Sequence, residues 1–348
     1  MFVTAVPGLG QLIAASLSSI DGVRVDQAGF DGRSDVVVFE VDRRAKAAAV
    51  HLSTAEDVFV EVGRTPRADG DNARSIAQRV WKPTRVERAL SLWANEVRPL
   101  SAAMTYRVIA RVLQERSFLR TELRNQLSRV IAQDKVKWRL DDPAQMEVWI
   151  VEYQMGKVVA GLRLSDVRLR QHEGREVERQ GALRPTVAAA MVELAGAPAG
   201  PLLDPCCGSG TILGEAHAAG WEKVSGSDID PDAVEAARAN VKSADIHQGD
   251  ARQLDLPDGA VAACVSNLPF GHQFEVQGDM DEWLARVLAE MTRVTADGGR
   301  VVVLAPKIPR GIVPAGLTLL EQHLVQLLGT RTSLWCYEKQ PGSSHERP

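Results

Sequence analysis

The sequence predicts an α/β chain: a doubly wound, mainly parallel C-terminal sheet preceded by a smaller α+β region. Three observations predict it. The apolar Leu202-Leu203 run ends in Asp204 and a turn with two glycines, Gly208 and Gly210, before an apolar helical stretch from Thr211 to Ala219. A second strand ends in acid 24 residues beyond Asp204. A later buried strand, Val261 to Ser266, delivers Asn267-Leu268-Pro269-Phe270-Gly271 at its carboxyl end. Strand and helix alternate at the pitch of βαβ units.

From the N-terminus, Met1 to Ala5 and Asp35 to Val41 read as strands around a helix, Leu9 to Ser19, forming an α+β subdomain over 1–64. Tyr106 to Arg111 then reads as a strand. A helix is expected from Thr121 to Gln133, capped at Thr121 or the preceding turn, and further strands at Met146 to Val151 and Lys157 to Leu162, within a unit spanning 65–170. Charge separates the regions: residues 64–139 hold 17 Lys and Arg against 7 Asp and Glu, net +10, whereas 181–348 hold 13 against 21, net −8. Polyanion binding would fall to the basic segment. Polar, unpatterned residues 171–182 read as a linker, and 339–348 as a disordered tail.

The C-terminal unit, 183–338, opens at Arg184-Pro185-Thr186 with proline at the first position of a helix running from Val187 to Ala195. Glycines at 208 and 210 permit positive φ and close backbone approach, which a cofactor lying across the carboxyl end of a parallel sheet requires. Asp204, Cys206, Gly208, Ser209, Gly210 and Thr211 are therefore its candidate cradle. Two acids compete for a ribose. Asp230 precedes Pro231 and a helix over Ala233 to Val241, so it reads as the N-cap, leaving Asp228 as the ribose ligand and Ile229 to pack on adenine. Gly249-Asp250-Ala251 closes a weakly patterned third strand, and Asp250 could accept from the adenine amino group. Gly299 to Leu304 and Leu334 to Tyr337 fit late strands of the same sheet.

Asn267-Leu268-Pro269-Phe270 resembles the Asn/Asp-X-Pro-Tyr/Phe signature of methyltransferases that modify exocyclic amines of bases or amide nitrogens. Such an amine is a poor nucleophile because its lone pair is delocalised. Asn267 Oδ1 and the Leu268 carbonyl could accept its two N–H bonds and orient it, while Pro269 stiffens the turn and Phe270 stacks the flipped base. Residues 181–348 resemble class I Rossmann-fold methyltransferases. With Leu202 to Ala216 and Asn267 to Gly271, the wording is closest to the guanine-N2 tRNA methyltransferases that carry an N-terminal THUMP domain. The pattern of strands and helix over 106–162, with Phe118-Leu119 before the helix and Gly161-Leu162 after the last strand, is similar to the THUMP RNA-binding domain.

That resemblance implies S-adenosylmethionine as cofactor, with Arg184 to Thr186 covering its methionine end and Asp250, Ala251 and Asn267 among its contacts. It also implies tRNA as partner, with Arg107, Arg111, Arg116, Arg120, Arg124 and Arg129 near the RNA. The activity expected is formation of N2-methylguanosine in tRNA. The alternatives are adenine-N6 methylation of RNA or DNA, since the clamp alone does not separate the two amines, and a non-catalytic RNA-binding subunit that retains the fold. Leu268 departs from the proline common at that position, which leaves the carbonyl less constrained.

Four cysteines, at 206, 207, 264 and 336, lack metal-ligand spacing, so reduced thiols in a cytoplasmic protein and no metal are expected. Cys206 and Cys207 are expected to pack beside the turn rather than to act as catalytic thiols. No Lys or Arg precedes Arg24, which argues against a signal peptide, and no stretch is long enough to span a bilayer. A monomeric state is compatible with this reading.

Overall fold

The structure, a computed structural model, describes residues 1–42, 44–65, 72–112, 118–165, 177, 179, 181–269, 279–327 and 329–342. The chain divides into two compact units, Met1–Arg170 and Gln171–Pro348.

The first unit is built on one eight-stranded sheet. Its elements are β1 (Phe2–Ala5), α1 (Gly10–Ser18), β2 (Val23–Phe30), β3 (Asp35–Val41), α2 (Lys46–Val50), β4 (Asp57–Thr65), α3 (Ala73–Val80), α4 (Pro83–Glu96), β5 (Thr105–Arg111), α5 (Arg120–Asp134), β6 (Arg139–Leu140), β7 (Met146–Gln154) and β8 (Lys157–Arg163). The strand order is β2-β3-β1-β4-β8-β7-β5-β6. Because β4 pairs antiparallel with β8, the expected division between 1–64 and 65–170 runs through a continuous sheet. Phe2 and Phe59 stack at 4.5 Å in its core, and Trp149 tilts against Phe59. Helix α5 starts one residue before Thr121, with Leu119 at its cap position. Its apolar side is Leu123, Leu127 and Ile131, spaced four residues apart, so the intervening arginines are left outside.

The second unit comprises α6 (Pro185–Leu194), β9 (Leu202–Asp204), α7 (Thr211–Ala218), β10 (Val224–Asp228), α8 (Pro231–Asn240), β11 (Asp245–Gln248), β12 (Val261–Asn267), α9 (Met280–Val294), β13 (Thr295–Ala305), β14 (Leu317–Leu327) and β15 (Thr330–Lys339). Its sheet order is β11-β10-β9-β12-β13-β15-β14. Strands β9 to β13 pair in parallel and β15 runs antiparallel to both neighbours. The order reverses between β9 and β12, the place where such sheets open a crevice at their carboxyl ends. Leu284, Val287, Leu288, Met291 and Val294 form the apolar stripe by which α9 packs on Leu203, Cys264 and Val301.

Two expectations at the edges of this unit are corrected. Lys339 is no part of a loose tail: it ends β15, is 8% exposed, and its Nζ donates to Thr295 O at 2.7 Å. Gln340 N donates to Gly316 O, while 343–348 lie outside the described residues. Within the expected linker, Val177 and Arg179 are tied to α8: Val177 exchanges two hydrogen bonds with Asn240, and Arg179 pairs with Asp230 at 2.5 Å. The rest of 171–176, with 178 and 180, lies outside the described residues. No helix among the described residues is long and apolar enough to cross a membrane.

Candidate active site

The carboxyl ends of β9, β10 and β12 open into a cavity of about 260 Å³. The turn after β9 forms its floor. Gly208 (φ 53°) and Gly210 (φ 82°) both hold positive φ, and Gly210 occupies the N-cap position of α7. Asp228, at the end of β10, holds the turn in place: its Oδ2 accepts from Gly208 N at 2.9 Å and its Oδ1 from Asp230 N at 3.0 Å. Asp230 caps α8 by accepting from Asp232 N at 2.9 Å, while Asp228, Asp230 and Asp204 all line the cavity. Asn240 Nδ2 adds a bond to Ser209 O.

Of the candidate residues, Asp204, Cys206, Gly208, Ser209, Thr211, Asp228, Ile229, Asp250, Ala251, Asn267 and Pro269 line the cavity, and Gly210 does not. Ile229 is 63% exposed, an apolar face turned to the opening. Leu268 is buried; its side chain joins the core beneath and its N–H donates to Leu304 O. Phe270 lies outside the described residues. Arg184, Pro185 and Thr186 are not among the lining groups: Arg184 is the cap position of α6, and Pro185 and Thr186 are buried in that helix's packing. The chain just before them lines the cavity instead, through Arg179, Gly181, Ala182 and Leu183. Those residues, Arg252 and Trp283 went unmarked in the sequence.

Two buried polar atoms here have no hydrogen-bond partner among the described residues: Asn267 Oδ1 and Ser209 Oγ. A buried acceptor or hydroxyl without a partner costs free energy, on the order of 1–3 kcal/mol, unless a ligand satisfies it. The residues therefore fit a ligand with an amine to donate to Asn267 and a polar group to meet Ser209. Cys206 and Cys207 are free, and burial pushes both well above the ordinary thiol value, so they sit as neutral thiols beside the turn. Burial likewise raises the Asp204 carboxyl to about 7, although Ser266 Oγ and Cys206 N donate to it. Asp250 is held low by Arg252, whose Nη2 donates to Oδ2 at 2.7 Å and whose backbone N reaches Oδ1 at 2.9 Å.

Residues 172–309 match the family model described as "RMKL-like, methyltransferase domain". The match lies within the second unit, whose sheet has the Rossmann-type arrangement. Among curated relatives, the U6 snRNA (guanine-N(2))-methyltransferase THUMPD2 of Bos taurus is 37% identical over 177 residues, covering 48% of this chain and 32% of the relative. The tRNA (guanine(10)-N2)-dimethyltransferase of Methanothermobacter thermautotrophicus is 37% identical over 133 residues, covering 36% and 39%. The chain thus spans between about a third and two fifths of the length of these relatives. Among solved structures, TrmN from Thermus thermophilus superposes with a TM-score of 0.74 at 23% identity, covering 97% of this chain and 98% of that one, which gives the same fold to both units. The second unit places its cavity at the reversal of strand order, with Asn267 at the end of its fourth parallel strand.

The first unit carries the expected RNA-facing arginines unequally. Arg107 pairs with Glu147 and Asp142, and Arg111 pairs with Asp31 at 2.6 Å while stacking 4.4 Å over Trp149. Both guanidiniums are therefore paired with carboxylates of their own unit, Arg107 while 36% and Arg111 while 20% exposed. Arg120, Arg124 and Arg129 are exposed on α5 with no ion-pair partner among the described residues, and Arg116 lies outside them.

Proposed function

We propose that this protein transfers a methyl group from S-adenosylmethionine to N2 of a guanosine in structured RNA, with tRNA as the substrate. The observation that carries the reading is the buried Oδ1 of Asn267, a residue of the cavity wall, which has no hydrogen-bond partner among the described residues. The guanine-N2 specificity named for both relatives supports it, as does the fold shared with TrmN.

Gly208 and Ser209 would hold the methionine end of the cofactor, Asp228 the ribose hydroxyls, and Ile229 with Asp250 the adenine. Bound, the cofactor supplies a methyl on a positively charged sulfonium. Asn267 Oδ1 and the Leu268 carbonyl accept the two N–H bonds of the guanine amine and turn its lone pair toward that methyl. Pro269 stiffens the turn that aims the carbonyl, and Phe270 stacks the extruded base. The amine is methylated first and loses its proton afterwards, so the site needs no strong base; the neutral thiols at 206 and 207 take no part. Exposed Arg120, Arg124 and Arg129 would contact phosphate. The four reduced cysteines suit a cytoplasmic enzyme.

The test is incubation with bulk unmodified tRNA and labelled S-adenosylmethionine, followed by nucleoside mass spectrometry. N2-methylguanosine is expected. N6-methyladenosine would overturn the choice of amine, product on another RNA alone would overturn the choice of substrate, and failure to bind cofactor in calorimetry would leave a non-catalytic RNA-binding subunit.

A further inference from the structure

The ladder between β9 and β12 is short. Its backbone pairing stops at Leu203 and Cys264, one residue before Asp204 and three before Asn267. At this reversal of strand order the two ends are joined by a side chain: Ser266 Oγ donates to Asp204 Oδ1 at 2.6 Å, with the two residues 0% and 1% exposed. The same oxygen accepts from Cys206 N at 3.1 Å. One carboxylate oxygen therefore ties the start of the cofactor turn to the residue immediately before the amine clamp.

We propose that Ser266 is a positioning residue that couples occupancy of the cofactor cavity to the aim of Asn267, with Asp204 as the proton-linked joint between them. This rests on the reading of the cavity as a site for S-adenosylmethionine. Asp204 lines that cavity. The groups bearing on it are Asp228 from β10, the Cys206 and Cys207 thiols from the turn, and Ser266 and Cys264 from β12; all are negative or neutral. The two guanidiniums on the cavity wall, Arg179 and Arg252, are paired to Asp230 and Asp250. A carboxyl in these surroundings, titrating at about 7, is divided between acid and anion at neutral pH. A cationic ligand favours the anion, and the anion is the stronger acceptor for Ser266 and Cys206. Cofactor binding then expels a proton and tightens the bond that fixes the end of β12, where Asn267 must hold its Oδ1 toward the amine.

Calorimetry of S-adenosylmethionine binding, in buffers of different ionisation enthalpy, tests the first half on the full chain. Release of about half a proton is expected near pH 7, rising at more acid pH to a maximum between the free and bound midpoints and vanishing at alkaline pH, because only the protonated fraction of the carboxyl has a proton to lose. Ser266→Ala tests the second. It removes a bond that favours the anion, so the Asp204 midpoint, read by carboxyl NMR on the ligand-free protein, moves upward. It also lowers kcat about tenfold while affinity for S-adenosylmethionine at alkaline pH is retained. Ser266→Thr restores both. Ligand binding without proton release at any pH, or an Ala variant with an unmoved midpoint, overturns the proposal and leaves the cofactor site intact. A wild-type protein whose Asp204 midpoint responds to Ser266→Ala, but which binds no S-adenosylmethionine, overturns the cofactor reading and the coupling with it, leaving only the buried bond.

Discussion

Asn267 and Asp228 sit at the carboxyl ends of two parallel strands of one sheet and do different work. Asn267 Oδ1 accepts no hydrogen bond among the described residues, so in the proposed reaction its replacement by Ala removes an interaction made with the reacting amine. Turnover should fall by about 10²–10³, the cost of deleting one preorganised polar partner of the reacting group, with cofactor affinity near normal in calorimetry. A variant that loses affinity and keeps turnover per bound cofactor would contradict this assignment. Asp228→Ala should do the opposite, because both carboxylate oxygens hold backbone N–H groups of the turn and its neighbour. Cofactor affinity should drop at least about tenfold, as expected when a hydrogen-bonded charge is removed. Asp204 adds a pH signature. Its carboxyl is raised from the ordinary 3.8 to about 7, so its contribution to stability is full below about pH 4 and is lost as pH rises through 7. Ligand-free wild type should lose thermal stability across that window relative to Asp204→Asn, whose melting profile should be flatter; parallel profiles would refute the raised value.

At the scale of elements, the junction of the turn and α7 is the least forgiving. Gly210 holds φ 82°, and an added Cβ would come within 3.2 Å of Val241 Cγ2 and 3.3 Å of Ala237 Cβ. Gly210→Ala should cost about 1–2 kcal/mol of stability from the left-handed backbone alone, visible as a lowered melting temperature together with weaker cofactor binding. This turn was legible in the sequence because glycine spacing after an apolar strand has few other uses. So were β9, β10 and β12, whose buried runs end in residues with visible chemistry. Edge strands β2 and β14 were not legible: exposed polar and apolar residues mix along both, and neither shows a clean alternation. Helices α3 and α4 sit in the basic segment, where charge drew attention from the apolar stripe Val86, Ala89, Leu90 and Trp93. Residues 179, 181 and 182 read as a linker because polar and small side chains facing a ligand cavity are the same residues that face solvent. Trp283 was hidden differently: one step before Leu284 on an amphipathic helix, it reads as an ordinary core position.

For the whole molecule, the separation of charge assigns different tasks to the two units, each with its own sheet. The basic unit should govern affinity for RNA, and its effect should be electrostatic. Replacing Arg120, Arg124 and Arg129 together by Glu should weaken tRNA binding and flatten its salt dependence by about 0.7–0.9 in logarithmic slope for each phosphate that is no longer neutralised. Affinity for cofactor should not change, since every described residue that lines the cavity belongs to the other unit. Unaltered RNA binding in a filter or fluorescence titration would move the interface away from α5. The chain has seven tryptophans, and Trp283 alone among them belongs to the cavity wall. Trp81, Trp93, Trp149 and Trp221 are enclosed in their cores. The protein consequently carries its own optical gauge. Indole emission from Trp283 should change as the cavity fills, while the four enclosed rings and the half-buried Trp138 and Trp335, which do not line it, supply the background, so occupancy can be followed in real time without a label.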